Sequence, residues 1–208
     1  MKIFGGYKID FSRIDNPVEA LMIPPVDFSL LSSKKNLDSV KQGTVSVGKD
    51  RFDYTIYKDE FSYTYRGKTN RCALENPGEG AGILQGRLGE SEIRLKMEPG
   101  REGMKISGKA GEMEVREICR RNPSAIIEGG AFMTHEGKIG NLDYKEEFFL
   151  ARDQQGKSAL LSRGRLGKME ISRAVTFDEK GNDHVEGHIG DYKISQAIIY
   201  EPKTPKKS

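Results

Sequence analysis

The sequence has no tryptophan, only two cysteines and three histidines, and no long apolar run. Two cysteines cannot form a disulfide framework, and Cys72 and Cys119 both fall in alternating, strand-like stretches, so we interpret them as buried thiols. No run approaches the roughly 18 apolar residues of a membrane-spanning helix. The start, MKIFGGYKID, lacks the apolar core of a secretory signal. We therefore expect a cytoplasmic protein, with export without a cleaved signal peptide as the alternative.

A strong charge of one sign is also missing. Of the 208 residues, 34 are basic and 31 acidic, which gives a formal net charge of +3. The two signs are interspersed, so the broad basic field that nucleic-acid binding needs is absent. The tail EPKTPKKS is the exception, and residues 203–208 are interpreted as a disordered basic end. A protein partner is favoured over a nucleic acid, and a homo-oligomer is compatible with the composition.

Glycine, by contrast, recurs in a pattern. Five segments share Gly, a basic residue, an aliphatic residue, Gly, any residue and then an alternating run; they begin at Gly86, Gly108, Gly137, Gly164 and Gly187. The apolar positions change phase at the second glycine, which a continuous strand cannot do because its side chains alternate with period two. A two-residue turn can, and glycine at its first position suits a type II′ hairpin. The predicted tips are Gly89-Glu90, Gly111-Glu112, Gly140-Asn141, Gly167-Lys168 and Gly190-Asp191.

These turns determine a cross-strand register. On the outer face a base opposes an acid in four hairpins: Arg87 with Glu92, Lys109 with Glu114, Lys138 with Asp143, and Arg165 with Glu170. The first glycine of each motif faces a bulky residue, and in EGKIGNLDYKEE it makes room for Tyr144. A weaker copy starts at Gly67 with Asn70 in the turn, and MKIFGGYKIDF is a degenerate one.

The predicted fold is all-β. Residues 1–202 form one β domain, in which residues 1–42 are an irregular lead-in with short helices and residues 43–202 are an antiparallel up-and-down meander of hairpins. Asn16 and Pro17 indicate one short helix, and Ser33 to Gly43 indicates a second. The meander must protect its edges, so we expect a closed or strongly curved, barrel-like sheet. A wrapped double sheet and a small propeller are the alternatives.

Counted from the turns, the third inward layer breaks the apolar pattern. It holds Glu117, His135 opposite Glu146, Ser162 opposite Arg173, and Gln196. Three interpretations are open: β-bulges shift the phase and turn these residues to solvent, which we expect first; the residues form a satisfied buried network; or they bind a polar ligand. The ligand-binding candidates are Glu117, His135, Glu146, Arg173, Tyr63 and Tyr65; for the tyrosines, core packing is the first expectation.

The sequence contains few candidate motifs for catalysis or metal binding. His184, Glu186 and His188 share one face of a strand and have the ligand types of zinc. Alternate strand residues are about 7 Å apart, and Lys193 lies opposite His188, so we predict an exposed polar strand rather than a metal site, and no cofactor. A Gly-x-Ser-x-Gly elbow and a phosphate-binding loop are both missing.

The sequence therefore predicts a non-enzymatic β-scaffold that binds a protein partner. The second hypothesis is a small-molecule-binding barrel whose lumen is lined by the third-layer residues and the tyrosines. The third is a hydrolase-type enzyme that uses the inward carboxylates Glu117 and Glu146 with His135 and Arg173.

Overall fold

The protein is a closed antiparallel barrel. The structure, a computed structural model, describes residues 14, 16–23, 40–57, 60–65, 67–75, 81–152 and 155–201. Each of its fourteen strands pairs with the next one in sequence, and the last pairs with the first, so the sheet closes as the sequence predicted. The strands are β1 (Val40–Val47), β2 (Asp50–Tyr57), β3 (Glu60–Tyr65), β4 (Lys68–Glu75), β5 (Gly82–Leu88), β6 (Ser91–Gly100), β7 (Gly103–Ala110), β8 (Met113–Arg121), β9 (Met133–Ile139), β10 (Leu142–Arg152), β11 (Ser158–Leu166), β12 (Met169–Phe177), β13 (Asp183–Ile189) and β14 (Tyr192–Glu201).

The five predicted hairpin tips are confirmed. Each lies between two directly paired residues, as in β9–β10, where Ile139 pairs with Leu142. The tip glycines have φ between 57° and 63°, the positive values that a two-residue hairpin requires; they are Gly89, Gly111, Gly140, Gly167 and Gly190. These glycines mark one end of the barrel, here called the glycine end. The opposite end is called the loop end.

The predicted register of bases and acids on the outer face is also confirmed, but it yields fewer ion pairs than expected. Lys138 pairs with Asp143 at 3.2 Å, and Arg165 with Glu170 at 4.0 Å. In the other two hairpins, the Glu114 carboxylate contacts Arg116 of its own strand at 2.8 Å, and the Arg87 guanidinium donates to the carbonyl of Glu90 at 3.1 Å.

The first glycine of each motif has a different role from the predicted one. Gly137 faces Tyr144 on β10 and Glu117 on β8. A Cβ atom on Gly137 would lie 2.0 Å from the carbonyl oxygen of Arg116 and 2.7 Å from the Cα atom of Glu117. The close approach of the β8 backbone, rather than the bulk of Tyr144, therefore demands glycine.

One prediction in the first part of the meander is wrong. The turn between β3 and β4 contains Gly67, with φ 77°, and Asn70 instead lies within β4. Glycine adopts positive φ at lower steric cost than asparagine, so the turn forms at the glycine. The structure also contains an unpredicted hairpin between β1 and β2, with Gly48 at its tip.

The predicted second helix is wrong where it can be compared, because Val40 to Gly43 belong to β1. The rest of that segment, the MKIFGGYKIDF hairpin and the basic tail lie outside the described residues.

The first predicted helix is confirmed and lies inside the barrel. Helix α1 (Pro17–Leu21) begins after Asn16, whose side chain accepts a hydrogen bond from the Val18 N–H at 2.9 Å. Three helical side chains, Val18, Ala20 and Leu21, belong to the same buried core as the inward side chains of the barrel. Ahead of the helix, the Ile14 N–H donates to the Ser91 hydroxyl at 2.6 Å, which ties this segment to the glycine end.

Candidate functional site

The polar third layer faces the interior. Glu117, His135, Glu146 and Arg173 are 5%, 2%, 0% and 4% exposed. The β9–β10 ladder is continuous over all its pairs, His135 with Glu146 among them, so no bulge shifts the phase. The prediction that His135 and Glu146 are cross-strand neighbours is confirmed, and the interpretation that bulges turn this layer to solvent is wrong.

Glu146 is at the centre of the network. The Arg173 guanidinium donates two hydrogen bonds to the Glu146 carboxylate, one from Nε to Oε1 at 2.9 Å and one from Nη2 to Oε2. The Ser162 hydroxyl donates to Oε1 at 2.5 Å, and the Tyr144 hydroxyl donates to Oε2 at 2.7 Å. A bidentate arginine with two hydroxyl donors saturates the carboxylate, as a buried charge requires.

These contacts set the ionisation of Glu146. Burial acts to raise the pKa of this carboxyl group, and the charge of Arg173 acts against it. Hydrogen bonds from Arg173, Ser162 and Tyr144 act in the same direction as that charge, so the pKa of Glu146 lies below its ordinary value. Glu146 is thus a carboxylate at neutral pH, which makes it an acceptor and not a proton donor.

The network continues from Tyr144 to a second acid. The Tyr144 oxygen lies 3.3 Å from His135 Nδ1, and His135 Nε2 lies 2.7 Å from Glu117 Oε2. The imidazole also packs edge-on against the Tyr144 ring, at 5.0 Å between centroids. Two acid–base pairs, Arg173 with Glu146 and His135 with Glu117, are therefore joined through one tyrosine hydroxyl.

The donors and acceptors of this chain allow a proton assignment. Because the single hydroxyl proton of Tyr144 goes to the Glu146 carboxylate, the 3.3 Å contact at His135 Nδ1 is satisfied when that nitrogen is the donor. His135 Nε2 faces the Glu117 carboxylate, and the hydrogen position on the imidazole is assigned from the Tyr144 contact alone.

Small residues make this arrangement sterically feasible. Glu146 faces Gly164 on β11, and Arg173 faces Ser162 on the same strand, so Arg173 reaches across β11 over two small residues. Likewise, Glu117 faces Gly137 on β9. In three of the five motifs the first glycine thus lies beside a buried charge of the preceding hairpin; these glycines are Gly137, Gly164 and Gly187.

Sequence reasoning assigned Tyr144 to the glycine layer and missed its role in the network. A signal was present, because Tyr144 is the only residue opposite a motif glycine that has a hydroxyl; the others are Ile93, Val115, Ile171 and Ile194. Tyr54 is a second tyrosine that lies opposite a glycine and has a buried hydrogen bond: it faces Gly43, and its hydroxyl accepts a hydrogen bond from Gln196 Nε2 at 2.6 Å.

The aromatic candidates pack into the core. Tyr63 is 4% exposed and meets Phe52 edge-on, with 5.8 Å between ring centroids. The Tyr65 side chain lies outside the described part of the structure. A cavity of about 20 Å³ beside α1 touches Phe52, Phe61 and Tyr63, but not the polar network. This is about the space of one water molecule.

The histidine strand lies on the outer face. His184, Glu186 and His188 are exposed, and His188 pairs with Lys193 as the register predicted. Their side chains have separate contacts: His184 Nε2 lies 3.6 Å from Asp178 Oδ2, and Glu186 accepts from the Ser195 hydroxyl at 2.6 Å.

Chemically, the third layer has a base, an acid and an activated hydroxyl, but they are turned towards one another. The Glu146 carboxylate is fully occupied by its neighbours, Glu117 Oε2 lies 2.7 Å from His135 Nε2, and the four charged residues are almost fully buried. Among the described residues, no helix is both long and apolar enough to cross a membrane. No protein-family model matches this chain, and no curated protein or solved structure was found to be similar to it.

Proposed function

We propose that the protein is a non-enzymatic β-scaffold that binds a protein partner at the loop end of the barrel. The observation that carries the proposal is the distribution of exposed apolar side chains. Within the described part of the chain, every large exposed apolar residue belongs to the loop-end half of a strand or to a loop-end connection; they are Ile126, Ile127, Leu150, Leu161, Phe177 and Ile199. Exposed apolar residues concentrated at one end of a barrel make that end the candidate interaction surface.

The loop-end half of β10 and β11 is the best-defined part of this surface. Phe149 pairs directly with Leu161 on the outer face, and Leu150 and Leu161 are 47% and 44% exposed. The Arg163 guanidinium lies 4.6 Å from the centre of the Phe149 ring and extends the contact surface. We call Phe149 and Leu161 the rim patch; Leu150 pairs with Leu160, has the inward phase of β10, and is exposed at the end of the barrel.

The charges around the rim patch favour a partner of different sequence over a second copy of this chain. Arg152, Lys157 and Arg163 are exposed beside it, and one acid, Glu147, is shared between Arg163 and Lys145, so the surroundings keep a net positive charge. A twofold dimer through this patch would place these bases opposite their own copies. A partner with an apolar centre and a rim of carboxylates complements them, because opposite charges across an interface steer association.

The contents of the barrel support a surface site over the two alternatives. A small-molecule site or a hydrolase would need space beside Glu117, His135, Glu146 and Arg173, and these side chains contact one another in the core. Helix α1 occupies the interior as well, with a cavity of only about 20 Å³ beside it.

Site-specific photo-cross-linking tests the proposal. A photoreactive residue at Leu161 of the full chain, irradiated in native lysate, should give one discrete adduct whose added mass differs from that of this chain. The matched control is the same residue at Lys193, an exposed outer position at the glycine end. With the partner purified, Leu161→Asp should weaken binding by at least about tenfold, as expected for an apolar anchor, and Lys193→Asp should not.

Three results would contradict the proposal. They are equal adducts from both positions, an adduct of twice the chain mass, and binding that Leu161→Asp leaves unchanged.

A further inference from the structure

The outer face of β5–β7 has an unusual arrangement of charge. Arg94 on β6 pairs directly with Lys109 on β7, so two cations face each other across neighbouring strands. Like charges in this position repel each other and destabilise the sheet. Both side chains line an open groove of about 1310 Å³.

The repeat supplies an internal comparison. The same junction between successive hairpins also brings two bases together at Arg116 with Lys138 and at Lys145 with Arg165. All four of those bases are neutralised by ion pairs, which are Arg116–Glu114 at 2.8 Å, Lys138–Asp143 at 3.2 Å, Lys145–Glu147 at 3.1 Å and Arg165–Glu170 at 4.0 Å. Among the described side chains, Arg94 and Lys109 alone form such a pair without a carboxylate within ion-pair distance.

Uncharged donors surround the two bases. Gln85 on β5 pairs with Arg94 on one side, and Ser107 lies two residues from Lys109 on β7, on the same face. Both line the groove. The Ser107 hydroxyl beside a guanidinium and an ammonium group completes a set of donors that an oxyanion can accept from together.

We propose that this groove binds a ligand through a phosphate group. Two facing cations require nearly two negative charges, and a phosphate monoester carries about −1.5 to −2 at pH 7, whereas a carboxylate carries one. The arginine fork matches phosphate geometry, and the lysine adds a point charge.

The acids of the groove limit what else the ligand can carry. Glu90, Glu92 and Glu112 line the glycine end of the groove. They repel further negative charge in that direction, and towards the loop end Lys96 is neutralised by Glu98 at 2.7 Å, so the remainder of the ligand carries no further negative charge. A polyanion that runs along the whole groove does not fit this distribution, which favours an isolated phosphate group over a nucleic-acid backbone.

The test is an NMR titration of the intact protein with inorganic phosphate, with ionic strength held constant by chloride to remove general screening. The expected result is a saturable shift of the Arg94 side-chain N–H and of the Ser107 and Lys109 amides. Arg94→Gln and Lys109→Gln should each weaken phosphate binding by at least about tenfold, the effect of losing one charge-assisted contact.

The matched control is Arg116→Gln, which removes an ion-paired base from the equivalent junction and should leave phosphate binding unchanged.

Phosphoserine and adenosine monophosphate then distinguish a modified protein from a nucleotide as the source of the phosphate group, since the true source should bind more tightly than inorganic phosphate. Acetate that shifts the same signals as strongly, shifts that do not saturate, or an Arg116→Gln variant as weak as Arg94→Gln would overturn the proposal. The groove and the rim patch lie on different strands, so this test is independent of the protein-binding proposal.

Discussion

Replacing Arg173 with methionine should destabilise the protein by about 3–5 kcal/mol at pH 7, the usual cost of removing one partner from a buried ion pair. Methionine keeps much of the apolar stem of arginine but removes the guanidinium. Glu146, which is 0% exposed, would lose both arginine contacts and keep only the hydroxyl donors Ser162 and Tyr144. Two neutral donors do not compensate for the burial of a full negative charge.

The dependence of this loss on pH gives a sharper test. In the parent protein the pKa of Glu146 lies below its ordinary value of 4.5, because Arg173 and the hydrogen-bond donors outweigh burial. A carboxyl group of this kind contributes stability above its unfolded pKa, and this contribution is lost as pH falls through the folded pKa. Without Arg173, burial dominates and the folded pKa rises above the unfolded one. The deficit of Arg173→Met should therefore be largest at neutral pH and shrink as pH falls towards 4.5.

Urea unfolding followed by circular dichroism at pH 7 and about pH 5 measures both effects. The double variant Glu146→Gln with Arg173→Met should recover most of the loss, since neutral replacements of a buried pair are often tolerated. Arg163→Met is the matched control, because its ion pair with Glu147 is on the outer face and is worth about 1 kcal/mol or less. A loss below about 1 kcal/mol for Arg173→Met at pH 7, as for an exposed pair, or a loss independent of pH, would refute the buried network.

Two further predictions concern the glycines and the thiols. Gly137→Ala should destabilise the protein by about 3 kcal/mol or more in urea unfolding, because its Cβ would meet the backbone of β8. At the control position Gly156, φ is also positive but no atom lies within 4 Å, so Gly156→Ala should cost about 1–2 kcal/mol. Equal costs at the two positions would contradict the close approach at Gly137. Burial raises the pKa of Cys72 to about 12 and that of Cys119 to about 11. A thiol reagent at pH 8 should therefore label neither cysteine in the folded protein and both in urea, and fast labelling of the folded chain would show that the barrel opens there.

The barrel was predictable because each motif contains its own consistency check. In the β9–β10 hairpin, one choice of turn at Gly140 gives an apolar pair, an ion pair and a glycine opposite Tyr144 at the same time. A register shifted by one residue would lose all three, since side chains alternate with period two. The same phase change surrounds Gly48, where Val45 and Val47 precede the turn and Phe52 and Tyr54 follow it. That hairpin was missed because its two glycines are five residues apart instead of three.

The polar network was less predictable than the layer that contains it. Pairing positions follow from the register, but a bulge and a continuous ladder give the same sequence pattern, so burial at Glu146 could not be decided in advance. The sequence also did not show that a side chain would extend across a whole strand to its partner. Arg173 contacts a carboxylate two strands away, and only the small size of Gly164 and Ser162 permits it.

The alternation of side chains separates the two roles of this barrel. Along β11, Ser162 and Gly164 face the network, while Leu161 and Arg163 face outward. Selection on a partner-binding surface can therefore act on the outer residues of a strand without disturbing the inner ones, provided that the glycines stay in place. The outer positions do differ between hairpins in this way: most junction bases are neutralised by a nearby acid, whereas Arg94 and Lys109 are not. The exception at the β6–β7 junction is the observation on which the phosphate-binding proposal rests, and it is separate from the rim patch on β10 and β11.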